Sequence, residues 1–568
     1  MSRYLRYIEQ NEKWRGSKTD RHIIDSFISG YDLIYENDDH IPDPDAIAEF
    51  AKAASQGDYD IIYCDEDVVR DHQRTNPFFK PDYSPETEKS LDYISGMVAL
   101  KKGHRADSFY TYPRDRVCHI DKVLYHRRKE RMLPEKKEAD ATPFVDKIPG
   151  KLSLIFLSKD HPDMFERCVK SVKASLHTDD VELILVDNGS GDGARRRYNE
   201  ISSEYGVRYY LRETEFNYSA LNNFAVSKAS GKVLIFINDD IEVPVSEKGI
   251  LERMALKALE ETSGAVGIKL LYPGEIKIQH CGIALLHTGP SHKLQGYKDD
   301  SYYYGYSDHD INTLAVTGAC LAIRRDRYDK AGGFDEKLPV AYNDVDLCLT
   351  LYEKGFYNIC LNSHHLTHYE GATRADDRSD REAYKRLKDE RLYLISKHGD
   401  VFDAGDPFMN GNLSPYALDF DINLPFEWEL AGMSDIWQPD VRMRTGKHIH
   451  AAIDSFEYKL SDAYGNEDFY EARGWIFREG LRKMEPCVLI ESDGRCIAAK
   501  AVRMRRADVG DAFPKFKRSA DSGFIVRIPA SEMEEFGIKG EVSAYPALVT
   551  KRRKIYRSDE ECMRKTAI

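Results

Sequence analysis

The stretch Val233-Leu234-Ile235-Phe236-Ile237-Asn238-Asp239-Asp240 joins a run of apolar, mostly β-branched or aromatic residues to a polar, acidic end. The run is too short for a helix and has no polar alternation, so it reads as a buried strand. Ligands of open α/β sheets gather at the C-terminal ends of strands, where carboxylates hold a metal or a ribose. An Asx-rich turn accounts for the same two acids equally well. The surrounding sequence has to decide between them.

Upstream, Leu152-Ser153-Leu154-Ile155-Phe156-Leu157 is a second buried strand, followed by the turn Ser158-Lys159-Asp160-His161-Pro162 and an amphipathic helix carrying Met164, Phe165, Cys168, Val169 and Val172. Val181 to Val186, the turn Asp187-Asn188-Gly189-Ser190 and another helix come next, and Phe216-Asn217-Tyr218-Ser219 opens a helix that ends before Gly231. Strand, helix, strand, helix, strand implies a parallel, Rossmann-like sheet with right-handed crossovers. After Asp240, strands are expected at 267–272 and 315–324. Between them lies a Tyr-, Gly- and Asp-rich loop whose tyrosines 297, 302, 303, 304 and 306 suit sugar stacking or a plain surface loop.

Parts of this pattern occur twice. Asp32 to Glu36 followed by Asn37-Asp38-Asp39 repeats the opening stretch, Ile94 to Leu100 parallels Val316 to Ala322, and Val117 to His126 parallels Ile359 to His368. Three blocks in one order indicate duplication of a domain. Only 30 residues separate Gly96 from His126, against 50 between Gly318 and His368, and only 36 precede the first Asn-Asp-Asp. The first copy (1–140) therefore reads as a truncated, degenerate partner of the second (151–405), across a charged linker. Residues 406–445 read as a connector, and 446–568, with short strands near 449–458, 472–477, 487–492, 496–504, 523–528 and 540–548, as a small antiparallel β-sandwich.

The 568 residues allow three or four domains, and 42% hydrophobic with 31% charged residues is ordinary for a soluble protein. A net charge of −14 argues against nucleic acid as the main partner. No signal peptide or membrane-length apolar run is visible. The ten cysteines form no CxxC pair, which suits reduced thiols in a cytoplasmic protein. The basic run Lys551 to Lys554 is a solvated face or a peripheral contact with anionic lipid.

Six short motifs stand in one order: Val186-Asp187-Asn188-Gly189-Ser190, Asn238-Asp239-Asp240, Thr317-Gly318-Ala319, Gly332-Gly333-Phe334-Asp335-Glu336, Asn343-Asp344-Val345-Asp346 and His368-Tyr369-Glu370. Together they resemble the inverting family 2 glycosyltransferases of GT-A fold, particularly those that build bacterial surface polysaccharides. The resemblance covers about 151–400, with 30–130 as a decayed copy. It implies transfer of a sugar from a UDP- or dTDP-sugar to a hydroxyl of an oligosaccharide or lipid-linked glycan, with Mg2+ or Mn2+. It assigns the metal to Asp240 and His368, and the nucleotide to Ser158, Lys159, Asp160, Asp187, Asn217, Asn222 and Asp239. Thr317, Gly318, Asp346 and His280 fall near the donor or acceptor sugar, and Asp344 takes the place of the general base.

Several of these residues have plainer readings. Asn238 replaces the first acid of the usual Asp-x-Asp, Asn217 suits a helix cap, Asp187-Asn188-Gly189 is also a good turn, and Asp344 also suits a helix N-terminus. Asp344 and Asp346 share a face on an extended segment and diverge on a helix. His364 and His368 lack the glutamate of a His-Glu-x-x-His zinc site. A non-catalytic glycan-binding or scaffold subunit is the alternative function. A nucleotidyltransferase would need a glycine-rich loop after the first strand, and Leu157 to Asp160 has none.

Overall fold

In the computed structural model the apolar runs form strands, and the polarity of those strands explains how the chain is built. The structure describes residues 4, 7–8, 12, 19–35, 40–104, 108–131, 148–274, 276–286, 289–369, 381–415, 417–423, 434, 436–439, 444–445, 448–459, 469–479, 484–504, 506–516, 519–550, 554–559 and 562–567. Two compact units emerge: Met1–Leu286 with Pro290–Asn423, and Leu424–Ile568 with His287–Gly289.

The first unit is mixed α/β. Its strands are β1 (Tyr31–Tyr35), β2 (His40–Pro42), β3 (Ile61–Arg70), β4 (Gln73–Phe78), β5 (Met97–Lys101), β6 (Val117–Arg127), β7 (Leu152–Ser158), β8 (Val181–Asp187), β9 (Val207–Leu211), β10 (Val233–Asn238), β11 (Ile241–Glu242), β12 (Ser263–Leu271), β13 (Ile278–His280), β14 (Ile283–Leu286), β15 (Gly289–His292), β16 (Ile311–Asn312), β17 (Cys320–Arg324) and β18 (Tyr357–His368).

The main sheet runs β11-β18-β12-β17-β10-β7-β8-β9. β10, β7, β8 and β9 are parallel, as their crossover helices Pro162–Ser175, Asp192–Tyr205 and Tyr218–Lys228 require. β17 runs antiparallel between β10 and β12. On one face, Leu154, Phe156, Ile235, Ile237, Val266 and Ile268 pack with Phe165 and Val169 of the first helix and Leu251 and Met254 of Ile250–Leu259. On the other, Phe236 meets Tyr328 and Phe334 at ring distances of 5.6 and 5.0 Å. Burying each such side chain is worth roughly 1.5–3 kcal/mol, and this fixes β10 as the centre of the sheet.

A second sheet runs β1-β5-β3-β6-β2, with β4 on β3. Strand for strand, this repeats the order β10-β17-β12-β18-β11 with the same polarity at every pairing. The register repeats as well: Ile41 lies opposite His126 as Ile241 lies opposite His368. Ile34 lies opposite Val98 as Ile237 lies opposite Cys320. Between these anchor points lie six residues (35–40) in the N-terminal sheet against three (238–240) in the main sheet. Asn37-Asp38-Asp39, expected to repeat Asn238-Asp239-Asp240, lies outside the described residues.

The tyrosine loop serves to join the two sheets. Tyr303 Oη lies 2.9 Å from both the carbonyl and the amide of Phe79, Tyr304 Oη donates to Asn76 O at 2.8 Å, and Tyr303 stacks on Phe420 at 4.4 Å. Tyr297 donates to Asp419 at 3.1 Å. Residues 406–423, expected as connector, are built into the same unit. The buried Lys293 ammonium donates to the carbonyls of Ala417 and Asp419 at 3.1 and 2.6 Å, and Asn410 donates to both Asp65 carboxylate oxygens. The charged linker expected from Arg127 begins inside β6, and residues 132–140 lie outside the described ones.

The second unit has a four-stranded sheet (Ile449–Lys459, Phe469–Arg478, Gly523–Pro529, Val502–Met504) and a seven-stranded one centred on Glu485–Ser492 and Glu541–Val549. Ala472, Ile476, Val526 and Ile528 of the first share a core with Val488, Ile490, Val542 and Ala544 of the second. Lys551, Arg552 and Arg553 lie outside the described residues. Among the described residues no helix is long and apolar enough to cross a membrane.

Candidate active site

β10 delivers Asp239 and Asp240 to the end of the main sheet, and β18 returns to the same point because β11 pairs with its last residues. There His368 Nδ1 lies 2.7 Å from Gln279 Oε1, and His368 Nε2 faces Asp240 Oδ1 at 3.0 Å. The amide oxygen of Gln279 accepts from Nδ1–H, so a neutral His368 turns its Nε2 lone pair toward Asp240. Asp240 is 5% exposed and its Oδ1 makes no hydrogen bond despite that proximity. A buried carboxylate oxygen left without a donor costs about 1–3 kcal/mol or more. An oxygen and an imidazole nitrogen converging there are suitable donors for a divalent cation. Among the described residues no cluster of three or more such side chains is arranged to hold a metal, and Asp240 and His368 are two candidate donors.

Asp239 points into the parallel half. Ser158 Oγ donates to its carboxylate and also meets Tyr198 Oη at 2.5 Å. Burial pushes Asp239 up to about 7; the Ser158 hydrogen bond opposes this and the Asp240 charge adds to it. Asp187 is fully buried and spoken for by its own surroundings, accepting from Ser190 N (2.9 Å), Ser190 Oγ (2.6 Å) and Tyr209 Oη (2.7 Å). Its turn reading is the one these bonds express. Beside it, Asn188 donates to the carbonyls of Arg212 and Thr214 while its buried Oδ1 makes no hydrogen bond. Asp160, at φ +57°, accepts from Gly191 N at 2.8 Å, and Lys159 is exposed.

Asn217 caps its helix, accepting from Ala220 N at 2.9 Å and donating to Glu336 O. Asn222 is buried on that helix and donates to Tyr218 O. Asn223 ties the helix to Gly332-Gly333-Phe334-Asp335-Glu336 through Phe334 and Glu336.

The helix Asn343–Glu353 brings Asp344 to the same strand end. Tyr342 precedes it in the left-handed region at φ +58°, a conformation that costs of order 1–3 kcal/mol at a non-glycine residue. Asp344 Oδ2 accepts from Gly318 N at 2.7 Å and Oδ1 from Val345 N at 2.8 Å. The next residue after Gly318, Ala319, accepts from Asn238 N at 2.9 Å, which ties the base candidate's anchor to the acidic strand end. Gly318 itself has no room for a side chain, since a Cβ would lie 2.9 Å from Tyr218 Oη, which donates to Gly318 O. Thr317 Oγ1 accepts from Ala319 N at 3.3 Å. Asp344 lines a pocket of about 220 Å³ together with Tyr342, Asn343, His292, Ile283 and Pro290.

Two residues expected at the sugar lie elsewhere. On the helix, Asp346 diverges from Asp344 and is buried against His398 Nε2 (2.9 Å) and Lys397 Nζ (2.8 Å). His280 is fully buried behind the pocket, facing His292 Nδ1 at 3.0 Å and Cys360 Sγ at 3.8 Å. Its neighbour Gln279, which sequence reasoning passed over, faces His368. Strand alternation in β13 is the signal that separates the two. His364 and His365 both turn to Glu247, at 2.7 and 3.4 Å.

A mixed sheet whose parallel half ends in paired acids, with a helix-borne carboxylate at the same strand end, is the framework of a glycosyltransferase-type α/β domain. Residues 153–329 match the model of the glycosyl transferase family 2. The chain carries that family's domain over these residues, less than a third of its length. It is similar to the O-antigen biosynthesis protein RfbC of Myxococcus xanthus, with 29% identity over 66% of this chain and 33% of that protein. It is also similar to the uncharacterized protein y4gI of Sinorhizobium fredii, with 29% identity over 72% and 51%. The chain thus spans about a third and about half of these relatives. Among solved structures it resembles a mannosyltransferase from Pyrobaculum calidifontis in complex with GDP-Man and Mn2+ (15% identity, 45% of this chain and 66% of that one, TM-score 0.34). It also resembles S. aureus TarS (11% identity, 72% and 78%, TM-score 0.32). Likenesses this remote carry no argument for the site.

Proposed function

We propose that the chain is an inverting, divalent-metal-dependent glycosyltransferase that moves a sugar from a UDP- or dTDP-sugar to a glycan hydroxyl in surface-polysaccharide synthesis. One observation carries the reading: the buried Asp240 oxygen without a hydrogen bond faces His368 at the strand end where Gly318 holds Asp344. Asp240 and His368 would hold Mg2+ or Mn2+, which supplies positive charge to the departing diphosphate. Asp239 and the Ser158–Asp160 turn suit the nucleoside, and the orphan Asn188 Oδ1 is an acceptor for a base N–H.

Asp344 is placed to act as general base. As the acceptor oxygen bonds to the anomeric carbon and the bond to diphosphate breaks, the hydroxyl proton passes to a carboxylate oxygen. The hydrogen bonds from Gly318 and Val345 leave each oxygen a further lone pair for it. The N-terminal sheet is read as a degenerate copy of the domain's second half, and the C-terminal unit as a β-sandwich accessory domain. The similarity to an O-antigen biosynthesis protein supports an oligosaccharide or lipid-linked glycan as acceptor, and a peripheral position at the inner membrane face is part of the same proposal.

Calorimetry with UDP and dTDP, with and without Mn2+, tests the reading. Metal-tightened nucleotide binding that Asp240→Ala removes is the expected result. A chain that binds neither nucleotide under either condition is not this enzyme.

A further inference from the structure

The geometry points to Glu390 as a positioning residue that holds the turn carrying Asp344 in its working conformation. This rests on the transferase reading above and adds to it a residue outside the six motifs and beyond residues 153–329 of the family match.

Asp344 is the second residue of the helix Asn343–Glu353, which the chain enters through Leu338-Pro339-Val340-Ala341-Tyr342. Val340, Ala341 and Tyr342 line the pocket of about 220 Å³ together with Asp344. Tyr342 lies in the left-handed region at φ +58°, where a non-glycine residue stays only if its surroundings impose it. Two helices do so. From one side the helix Tyr218–Lys228 takes the carbonyls: Tyr218 N donates to Pro339 O at 2.7 Å and Ser219 Oγ to Leu338 O at 2.8 Å. From the other, the helix Arg381–Lys397 takes the amides: Glu390 Oε2 accepts from Ala341 N at 2.6 Å and from Val340 N at 3.3 Å.

The grip on the amides is the stronger. Glu390 is buried, and a carboxylate accepting from backbone N–H groups makes bonds roughly twice as strong as neutral ones. Two consecutive amides turned on one oxygen fix the peptide groups 339–340 and 340–341, directly before Tyr342. Farther along, Lys397 Nζ lies 2.8 Å from both Asp335 and Asp346, and His398 faces Asp346 and Glu353 at 2.9 Å each. Those contacts hold the body of the helix Asn343–Glu353, while Glu390 holds the turn that leads into it. With the helix pinned, that turn decides where Asp344 points. A shift of about 1 Å at a reacting group costs on the order of 10²-fold in rate, so a residue that never touches the substrate governs turnover through the turn.

The experiment compares wild type with Glu390→Met, Glu390→Gln and Glu390→Asp, each also combined with Tyr342→Gly. Turnover is measured on a panel of UDP- and dTDP-sugars with Mn2+, with water or octyl glycosides as acceptor, alongside UDP affinity and amide hydrogen exchange. Glu390→Met, similar in length but without an acceptor, is expected to lower kcat about 10–100-fold and to speed exchange of the amides of 340–346, with UDP affinity near wild type. Glu390→Gln keeps an acceptor oxygen and should retain most of kcat. Glycine adopts the left-handed region without penalty, so the loss from Glu390→Met should be much smaller beside Tyr342→Gly than beside Tyr342. If Glu390→Met does not fold, Glu390→Asp, which draws the carboxylate back by one methylene, carries the same comparison. An unchanged kcat, equal losses in Met and Gln, a loss undiminished by Tyr342→Gly, or UDP affinity lost in the folded variants would overturn the assignment. So would a wild type that binds nucleotide but turns over none of the donors. In each case metal-dependent nucleotide binding still stands; if wild type binds no nucleotide, both readings fall.

Discussion

His126 and His368 occupy the same place in two sheets of the same order and register, yet their surroundings are opposite. His126 is clamped between Asp67 at 2.6 Å and Asp43 at 3.2 Å, both buried. Around it the charges of β3 are balanced by side chains: Asp65 by His119, Glu66 by Lys80, Arg127 and Arg131, and Asp67 by Arg74 as well. His368 faces an amide on one side and, on the other, an aspartate oxygen that makes no hydrogen bond. One strand end is closed with ion pairs; at the other a buried carboxylate oxygen makes no hydrogen bond. The scaffold does not make the site. What separates them is whether a buried carboxylate has been given its partner.

The sharpest way to break the comparison is to disable the open copy. Asp344→Asn removes the proposed base but keeps the side chain's shape and its capacity to accept from Gly318. Transfer should fall by about 10²–10⁴-fold while UDP affinity by calorimetry stays near wild type. Turnover close to wild type would remove Asp344 from the chemistry.

Opening the closed copy should act on stability alone. Burial by itself would raise Glu66, but Lys80, Arg131 and Arg127 outweigh it and hold the carboxyl at about 2. Glu66→Ala leaves the fully buried Lys80 ammonium without its carboxylate, a loss of about 3–5 kcal/mol in denaturant unfolding, with Mn2+-dependent nucleotide binding unchanged in the folded protein. If that binding were lost with folding intact, the N-terminal sheet would have a part in the site that its ion pairs do not suggest.

A smaller change probes the second neighbour of His368. Gln279→Leu removes the acceptor that orients the imidazole, and the affinity for Mn2+ in the presence of UDP should weaken about 10–100-fold. An unchanged Mn2+ titration would mean that His368 is oriented by something else.

Much of this was legible in the sequence, and the failures have physical causes. The Asn238-Asp239-Asp240 strand end and the helix capped by Asn217 follow from periodicity and capping chemistry. Asp346 misled because one residue pattern serves an extended segment or a helix, and only the helix turns Asp346 toward Lys397 and His398. His280 was placed near the sugar, whereas alternation along β13 buries it against His292 and Cys360 and turns its neighbour Gln279 to His368. The tyrosines of the long loop looked available for a sugar because no local pattern reveals that Phe79 and Asn76, more than 200 residues away, take their hydroxyls. The three-residue difference in length between the two segments is likewise invisible without the strand registers on both sides.

The mildest test uses protons in place of mutations. His119 lies between Asp65 at 2.9 Å and Asp82 at 3.0 Å. Burial opposes its charge, but the Asp65 charge and the hydrogen bonds to Asp65 and Asp82 outweigh burial and lift it to about 9. A histidine raised in the folded state binds its proton more tightly there than in the unfolded chain, where the ordinary value is about 6.5. Its contribution is therefore complete below about pH 6.5 and is lost as pH rises through about 9. Burial pushes Asp65 upward at the same time, which holds the net contribution to about 1–2 kcal/mol. Urea unfolding from pH 6 to 10 should show that decline in wild type, and His119→Gln should flatten it by removing the titrating group. The open copy supplies the control, because Asp344→Asn should keep the wild-type slope. A slope that survives His119→Gln would place the proton elsewhere in the molecule, and the ion pairs of β3 would then be closed at every pH in that range.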